Sequence, residues 1–137
     1  MRGLACAWSI LAFLSGLAWA ADKPEDAAQT AAESWLQLVD EGQYDASWDR
    51  AARLFKGAVT KEQWRQACSG VREPLGKVKS RKVKSREYTE KVPGAPDGKY
   101  VVVQFDSVFE NKAAAVETVT PMLDADGAWR VSGYFIK

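Results

Sequence analysis

Histidine is absent from the 137 residues of the chain, and cysteine occurs only twice. The lack of histidine removes the side chain that most often serves as a general base or a metal ligand. It also excludes Ser-His-Asp and Cys-His catalysis. Once the N-terminal segment is removed, Cys68 is the only thiol, so neither an intramolecular disulfide nor a multi-cysteine zinc site can form. We therefore expect no cofactor and no metal.

The first twenty residues have the pattern of a secretory signal peptide. Arg2 precedes an apolar run from Leu4 to Ala18, and Ala18-Trp19-Ala20 supplies a small-x-small cleavage site. The run is short for a membrane span. We expect cleavage after Ala20, which leaves residues 21–137 as one periplasmic or secreted domain with no stable membrane insertion. A retained anchor is the alternative.

Net positive charge is also lacking. Loss of Arg2 leaves 18 basic residues against 18 acidic ones, whereas a nucleic-acid-binding protein usually has a basic surface over the whole domain or one wide face. We therefore expect no nucleic-acid partner.

The positive charge that remains is concentrated in a repeated pentapeptide, KVKSRKVKSR, at residues 77–86. An anionic partner could contact six cations here, namely Lys77, Lys79, Arg81, Lys82, Lys84 and Arg86. The pattern favours a bent, partly exposed edge strand over such a partner, because charge on an edge discourages unwanted strand pairing. A bulge near Arg81 and Lys82 would bring both valines of the repeat to one face.

Hydrophobic periodicity predicts an α+β domain of three helices followed by four antiparallel strands. The helices are predicted over Pro24 to Glu41, Tyr44 to Phe55 and Thr60 to Val71. The strands are predicted over Lys77 to Val92, Tyr100 to Phe109, Ala115 to Leu123 and Trp129 to Ile136. Because the helices come first and together, we expect them to pack on one face of a curved sheet. Cys68 falls on the apolar stripe of the third helix and is predicted to be a packed, inert thiol.

Several motifs along residues 21–137 resemble the DUF4019 family of exported bacterial proteins. They are Leu75-Gly76, Ser80-Arg81, Val92 to Tyr100, Phe109 to Lys112, Glu117 to Val119 and Asp126 to Ile136. The resemblance implies a cone-shaped fold of the NTF2-like and cystatin-like group and a periplasmic location. It implies no activity.

Alternation along the last three strands predicts which residues share a face, if both hairpin loops hold an even number of residues. The helix-covered face should then carry Val101, Val103, Phe105, Phe109, Val116, Thr118, Trp129, Val131 and Phe135. The other face should carry Tyr100, Val102, Gln104, Asp106, Val108, Glu117, Val119, Arg130, Ser132, Tyr134 and Ile136. This second face mixes apolar and polar side chains, which is typical of subunit contacts. We therefore expect a homodimer through it, with a possible interface or ion-pair cluster of Asp106, Glu117, Arg130 and Tyr134 in which Arg130 pairs with Glu117 or Asp106.

These features favour a small non-catalytic binding or protein-interaction module of the bacterial envelope, with an unidentified partner there. The cone is predicted to be filled by its own large side chains: Trp35, Trp48, Phe55, Trp64 and Phe105. The alternative is a small apolar-ligand binder or an isomerase-type enzyme that uses the cone interior. Asp106 and Tyr134 are suitable acid-base residue types, but alternation places them on the face away from the cone.

Overall fold

The described part of the chain, residues 23–137 of a computed structural model, contains four helices and then four strands. Their bounds are α1 Pro24–Asp40, α2 Tyr44–Asp49, α3 Arg53–Ala58, α4 Lys61–Leu75, β1 Val78–Thr89, β2 Tyr100–Phe109, β3 Lys112–Leu123 and β4 Trp129–Ile136. The strands form one antiparallel sheet in the order β1-β2-β3-β4. The α+β class is therefore confirmed. The predicted signal peptide, residues 1–20, lies outside the described residues.

The second predicted helix is two helices in the structure. The chain leaves helical geometry after Asp49 and resumes it at Arg53. Between them, the Ala52 amide donates a hydrogen bond of 2.8 Å to the Val131 carbonyl of β4. This bond attaches the break to the sheet. Because it joins residues far apart in the sequence, the periodicity of residues 44–55 could not reveal the break.

The predicted start of the third helix, here α4, is confirmed. The Thr60 hydroxyl accepts a hydrogen bond from the Gln63 amide at 3.1 Å, and the Gln63 side chain accepts one from the Thr60 amide at 3.0 Å. This reciprocal pair forms a capping box. The helix extends to Leu75 and ends at Gly76, whose φ of 74° is readily adopted only by glycine. No helix among residues 23–137 is long and apolar enough to cross a membrane.

Aromatic side chains fill the space between the helices and the sheet. Trp35, Phe55 and Trp64 are buried and contact one another, with ring centroids 5.0–6.4 Å apart. Both indole donors of the tryptophans bond to Ser47, Trp35 to its carbonyl at 2.8 Å and Trp64 to its hydroxyl at 2.9 Å. Trp48 is only half-buried, with Lys56 and Lys61 over its ring. The predicted aromatic filling is thus present around Trp35, Phe55, Trp64 and Phe105.

The predicted face of β3 is wrong. The β2–β3 turn has the expected two residues, because Phe109 pairs with Lys112, but a register shift follows between Ser107 and Phe109. Beyond that bulge Phe105 lies opposite Glu117 and Val103 opposite Val119. One extra residue reverses the phase of a strand, so Glu117 and Val119 face the helices while Val116 and Thr118 face away.

The predicted face of β4 is correct for its first half only. Leu123 pairs with Trp129, so the connecting loop holds five residues and not an even number. This second error cancels the first, and Trp129 and Val131 face the helices as expected. A further register shift between Thr120 and Pro121 then reverses the phase. As a result Tyr134 and Ile136 face inward, and Phe135 faces outward with 52% of its surface exposed.

The pentapeptide repeat forms an edge strand, as its charge suggested, but it contains two bulges and not one. The register shifts lie between Val78 and Ser80 and between Val83 and Ser85, so a lysine occupies the same position in each bulge. Each five-residue unit therefore advances the ladder by four positions. The valines and arginines of both copies consequently face the helices, which a regular strand with a five-residue period could not achieve.

Candidate functional site

A network of charged and polar side chains lies beneath the helices, and we call it the interior ion-pair network. Its members are Asp40 of α1, Arg72 of α4, Arg81 of β1, Ser107 of β2, Glu117 of β3 and Tyr134 of β4. Every strand and two helices thus contribute one residue. The two arginines balance the two carboxylates in formal charge.

Glu117 is the most deeply buried member, with 0% of its surface exposed. Its Oε1 accepts hydrogen bonds from Arg81 Nε at 2.7 Å and from Ser107 Oγ at 2.5 Å. Its Oε2 accepts one from the Tyr134 hydroxyl at 2.5 Å. Burial, and then the charge of Glu117, raises the pKa of Tyr134 far above its ordinary value. Tyr134 therefore remains a protonated donor, and both oxygens of the Glu117 carboxylate accept hydrogen bonds.

Asp40 joins the two arginines at the end of α1. Arg81 binds it through two nitrogens, at 2.7 and 3.0 Å, and Arg72 Nη2 binds it at 2.7 Å. Burial disfavours the charge on Asp40, but the hydrogen bonds and charges of Arg81 and then Arg72 outweigh it, so its pKa lies below the ordinary value. Such bidentate pairing is the strong form of the arginine–carboxylate contact.

Arg72 lies almost entirely inside the protein. Its guanidinium carbon is 4.9 Å from the centroid of the Phe109 ring, so the charge contacts the aromatic face. Only Nη2 has a hydrogen-bond partner, while Nε and Nη1 are buried without one among the described residues. Arg72 is therefore the least satisfied member of the network.

The structure divides the cluster predicted from the sequence. Glu117 and Tyr134 do meet, but beneath the helices and not on the open face. Asp106 faces the opposite side of the sheet. Arg130 binds neither Glu117 nor Asp106, and instead pairs with Asp126 at 2.7 Å and Asp124 at 3.2 Å in the preceding loop. The predicted Arg130 pair is therefore wrong.

Sequence reasoning missed Asp40, Arg72 and Ser107, and it left the role of Arg81 undefined. A signal for the first two was present. Arg72 follows Trp64 and Cys68 at intervals of four, and Asp40 follows Ala32 and Leu36 in the same way, so both extend buried helical stripes. Arg81 points inward because of the bulge after Val78, and no sequence pattern predicted a bulge at that position.

The six cations of the repeat separate by residue type. Arg81 joins the network, and Arg86 pairs with Asp26 of α1 at 2.7 Å. The four lysines, which are Lys77, Lys79, Lys82 and Lys84, are all exposed. Their availability to an anionic partner stays a prediction. Cys68 is 3% exposed, and burial raises the pKa of its thiol to about 12, which fits the inert role expected of it.

The side of the sheet that the helices leave open is named here the outward sheet face. Strand register and burial assign to it Lys82, Ser85, Glu87, Val102, Gln104, Asp106, Val108, Val116, Thr118, Thr120 and Phe135. Near one end the loop after β1 covers Tyr100, whose hydroxyl donates to the Pro96 carbonyl at 2.6 Å. At the other end a groove of about 510 Å³ is lined by Lys82, Asp106, Val108 and Val116, among others.

A second groove, of about 230 Å³, lies between α4 and β4. Its lining is almost wholly apolar: Trp64, Ala67, Cys68, Val71, Tyr134, Phe135 and Ile136. The Tyr134 ring separates this groove from the carboxylate of Glu117. The arrangement could hold a small apolar molecule, although Glu117 itself has no exposed surface.

Comparison with known proteins bears on identity more than on chemistry. No curated protein matches the chain. The family described as "Protein of unknown function (DUF4019)" matches residues 31–134, which include α2 to β3, most of α1 and β4, and every member of the interior network. That span is well over half of the chain and bears out the resemblance of its motifs, so the protein belongs to the DUF4019 family.

Proposed function

We propose that the chain is a small non-catalytic module of the bacterial envelope that binds another macromolecule through the outward sheet face. The observation that carries this proposal is the uneven cover of the sheet. Helices pack on one face, while the other presents half-buried apolar side chains and the exposed ring of Phe135. Mixed apolar and polar surface with aromatic side chains is typical of protein interfaces.

The interior network supports the non-catalytic part of the proposal. A general base must come within hydrogen-bond reach of its substrate, whereas Glu117 has no exposed surface and both of its oxygens accept hydrogen bonds inside the protein. Aromatic rings fill the neighbouring space. A network of this kind fixes the positions of helices and strands.

The fold and location belong to the same proposal. Helices gathered on one face of a curved antiparallel sheet support membership in the NTF2-like and cystatin-like group. The apolar run before Ala20 and its cleavage pattern support export to the periplasm. The candidate partners are a second copy of the chain and another envelope protein.

Site-specific photo-crosslinking tests the binding surface. Benzoylphenylalanine is introduced separately at Gln104 and Phe135 on the outward face, and at Gln66 as a control on the exposed side of α4. We expect irradiation of whole cells to give discrete adducts from the first two positions and none from Gln66. Adducts from Gln66 alone, or equal adducts from all three positions, would contradict the proposal.

One observation favours a second candidate, a small apolar-ligand binder or isomerase-type enzyme. Glu117 and Tyr134, an acid and a hydroxyl 2.5 Å apart, lie beside the groove between α4 and β4. A ligand that binds only the folded state raises the melting temperature. A screen of apolar metabolites discriminates the two candidates, because Ala67→Trp, which fills the groove, must abolish any rise that depends on it.

A further inference from the structure

We propose that the outward sheet face binds a second copy of this chain, about a twofold axis that crosses the strands at the level of Gln104. Lys82 of each copy then lies against Glu87 of the other. This inference rests on the proposed function, since it assigns the occupant of the same surface. It is carried by the order of charges along β1.

The centre of the surface is a neutral row that runs across all four strands. Ser85 Oγ donates to Gln104 Oε1 at 3.2 Å, and Gln104 Nε2 donates to Thr118 Oγ1 at 3.4 Å. Phe135 pairs with Thr118 and ends the row with its exposed ring. A row without charge, with an aromatic group at its end, can face its own copy with no electrostatic penalty.

Lys82 and Glu87 lie at equal distances on opposite sides of this row. Lys82 is opposite Asp106, Ser85 is opposite Gln104, and Glu87 is opposite Val102. On β2, Asp106 and Val102 are each two residues from Gln104, so the two charges are about 14 Å apart along the strand at about 3.4 Å per residue. The bulge between Val83 and Ser85 is what puts both side chains on the same face.

Rotation by 180° about the row exchanges its two sides. Each β1 then runs antiparallel to its copy, which brings Lys82 over Glu87 of the partner subunit and Glu87 over Lys82 of the partner subunit. Aligned sheets pack about 10 Å apart, a gap that extended lysine and glutamate side chains span together. The charges of β1 are thus self-complementary about this axis, as a twofold interface requires.

Both charges are available for this contact. Lys82 and Glu87 are exposed, and neither forms a salt bridge within residues 23–137. Arg81 and Arg86, which directly precede Lys82 and Glu87 in the chain, are already paired with α1. Strand β1 therefore carries inward arginines that hold the fold and outward charges that can meet a second copy.

A charge-swap experiment tests the proposal by sedimentation equilibrium of the chain expressed from its full sequence. We expect a dimer for the wild type. Lys82→Glu and Glu87→Lys each place like charges in contact, and each should raise the dimer dissociation constant about tenfold or more. The double swap restores opposite charges and should return the constant to near the wild-type value. Lys84→Glu, a change of the same charge at a bulge residue, is the matched control and should have little effect.

Circular dichroism verifies that each variant keeps its fold. A wild type that stays monomeric at concentrations on the order of 100 µM overturns the second-copy inference. So does a dimer whose dissociation constant is unchanged in both single swaps, or a double swap that dimerises as weakly as the single variants. Crosslinks from Gln104 to a different protein, together with a monomeric wild type, would leave the proposed function standing and remove only this inference.

Discussion

Arg81 is the residue on which the interior network depends most. It contacts both carboxylates, and it is the only member that contacts Glu117 and Asp40 together. Buried charges lose their hydration, so such a network adds little stability over an apolar core, yet removal of one partner leaves another charge buried and unpaired. Arg81 therefore matters less for what it adds than for what its loss would expose.

We expect Arg81→Met to lower the free energy of unfolding by about 3–5 kcal/mol. Glu117 would then be left in the interior with only Ser107 and Tyr134 as donors. The double variant Arg81→Met/Glu117→Met should lose less than the sum of the two single variants, because it leaves no orphaned carboxylate at that position. Urea unfolding of the four proteins measures this coupling.

Arg86→Met provides the control, because Arg86 makes its ion pair with Asp26 at the surface. Its loss should cost about 1 kcal/mol or less. Equal losses for the two arginines would show that the network has no special role in stability.

At this scale the sequence predicted residue types better than contacts. Strand alternation groups Glu117 with Tyr134, and the two do bond, but they meet on the inward face of the sheet and not on the predicted outward face. Cys68 was predicted correctly because helical spacing needs no knowledge of register. Arg130 was paired wrongly because the acidic loop beside it, with Asp124 and Asp126, supplied nearer partners.

Helix ends can be predicted from a few neighbouring residues, whereas the inward face of a strand depends on its pairing with other strands. The start of α4 followed from residues 60–63 alone, since a capping box is formed within four residues. The phase of a strand depends on every bulge that precedes it in the ladder, and the sheet contains shifts in all three strand pairs. Four strands could therefore be located from the sequence, whereas their inward residues could be assigned only for β2 and part of β4.

Thr60→Ala tests the contribution of the capping box to α4. The substitution removes the acceptor of the Gln63 amide, and we expect a loss of about 1 kcal/mol in unfolding free energy by thermal or urea denaturation. Thr30→Ala is the control, since the Thr30 hydroxyl donates to the Asp26 carbonyl within α1 and caps nothing. A loss as large for Thr30→Ala would indicate that the capping geometry is unimportant.

The whole molecule has a formal net charge of only +1, and its ion pairs lie both in the interior and at the surface. The pKa of Asp40 is lowered in the folded state, because burial, which would raise it, is outweighed by the contacts with Arg81 and Arg72. A carboxyl group whose pKa is lower in the folded state than in the unfolded state stabilises the fold at pH values above its unfolded-state pKa. This stabilisation is lost as the pH falls through the folded-state pKa. Both arginines stay charged over this range.

We therefore expect the unfolding free energy to be nearly constant from pH 7 to pH 5 and to fall below about pH 4, where an unfolded aspartic acid takes up a proton. Urea unfolding at a series of pH values measures the curve. Asp40→Asn should have a lower unfolding free energy than the wild type at pH 7. It should also lack the part of the decrease below about pH 4 that protonation of Asp40 causes. Asp26→Asn, at the exposed pair with Arg86, should change the curve much less. A curve in Asp40→Asn parallel to that of the wild type would contradict the assignment.

The bulge in each KVKSR unit has a consequence for how this strand can change in length. Each unit of five residues occupies four ladder positions, which is an even number. The addition or deletion of one unit therefore leaves all the remaining side chains of β1 on the face they had before. In a regular strand, a duplication of fifteen nucleotides adds five residues and moves the side chains beyond it to the opposite face. Here the same duplication would lengthen the edge strand and keep its inward residues inward. Slippage during DNA replication is thus a route by which such an edge could grow, and each added unit would bring one more inward arginine and two more lysines in reach of solvent.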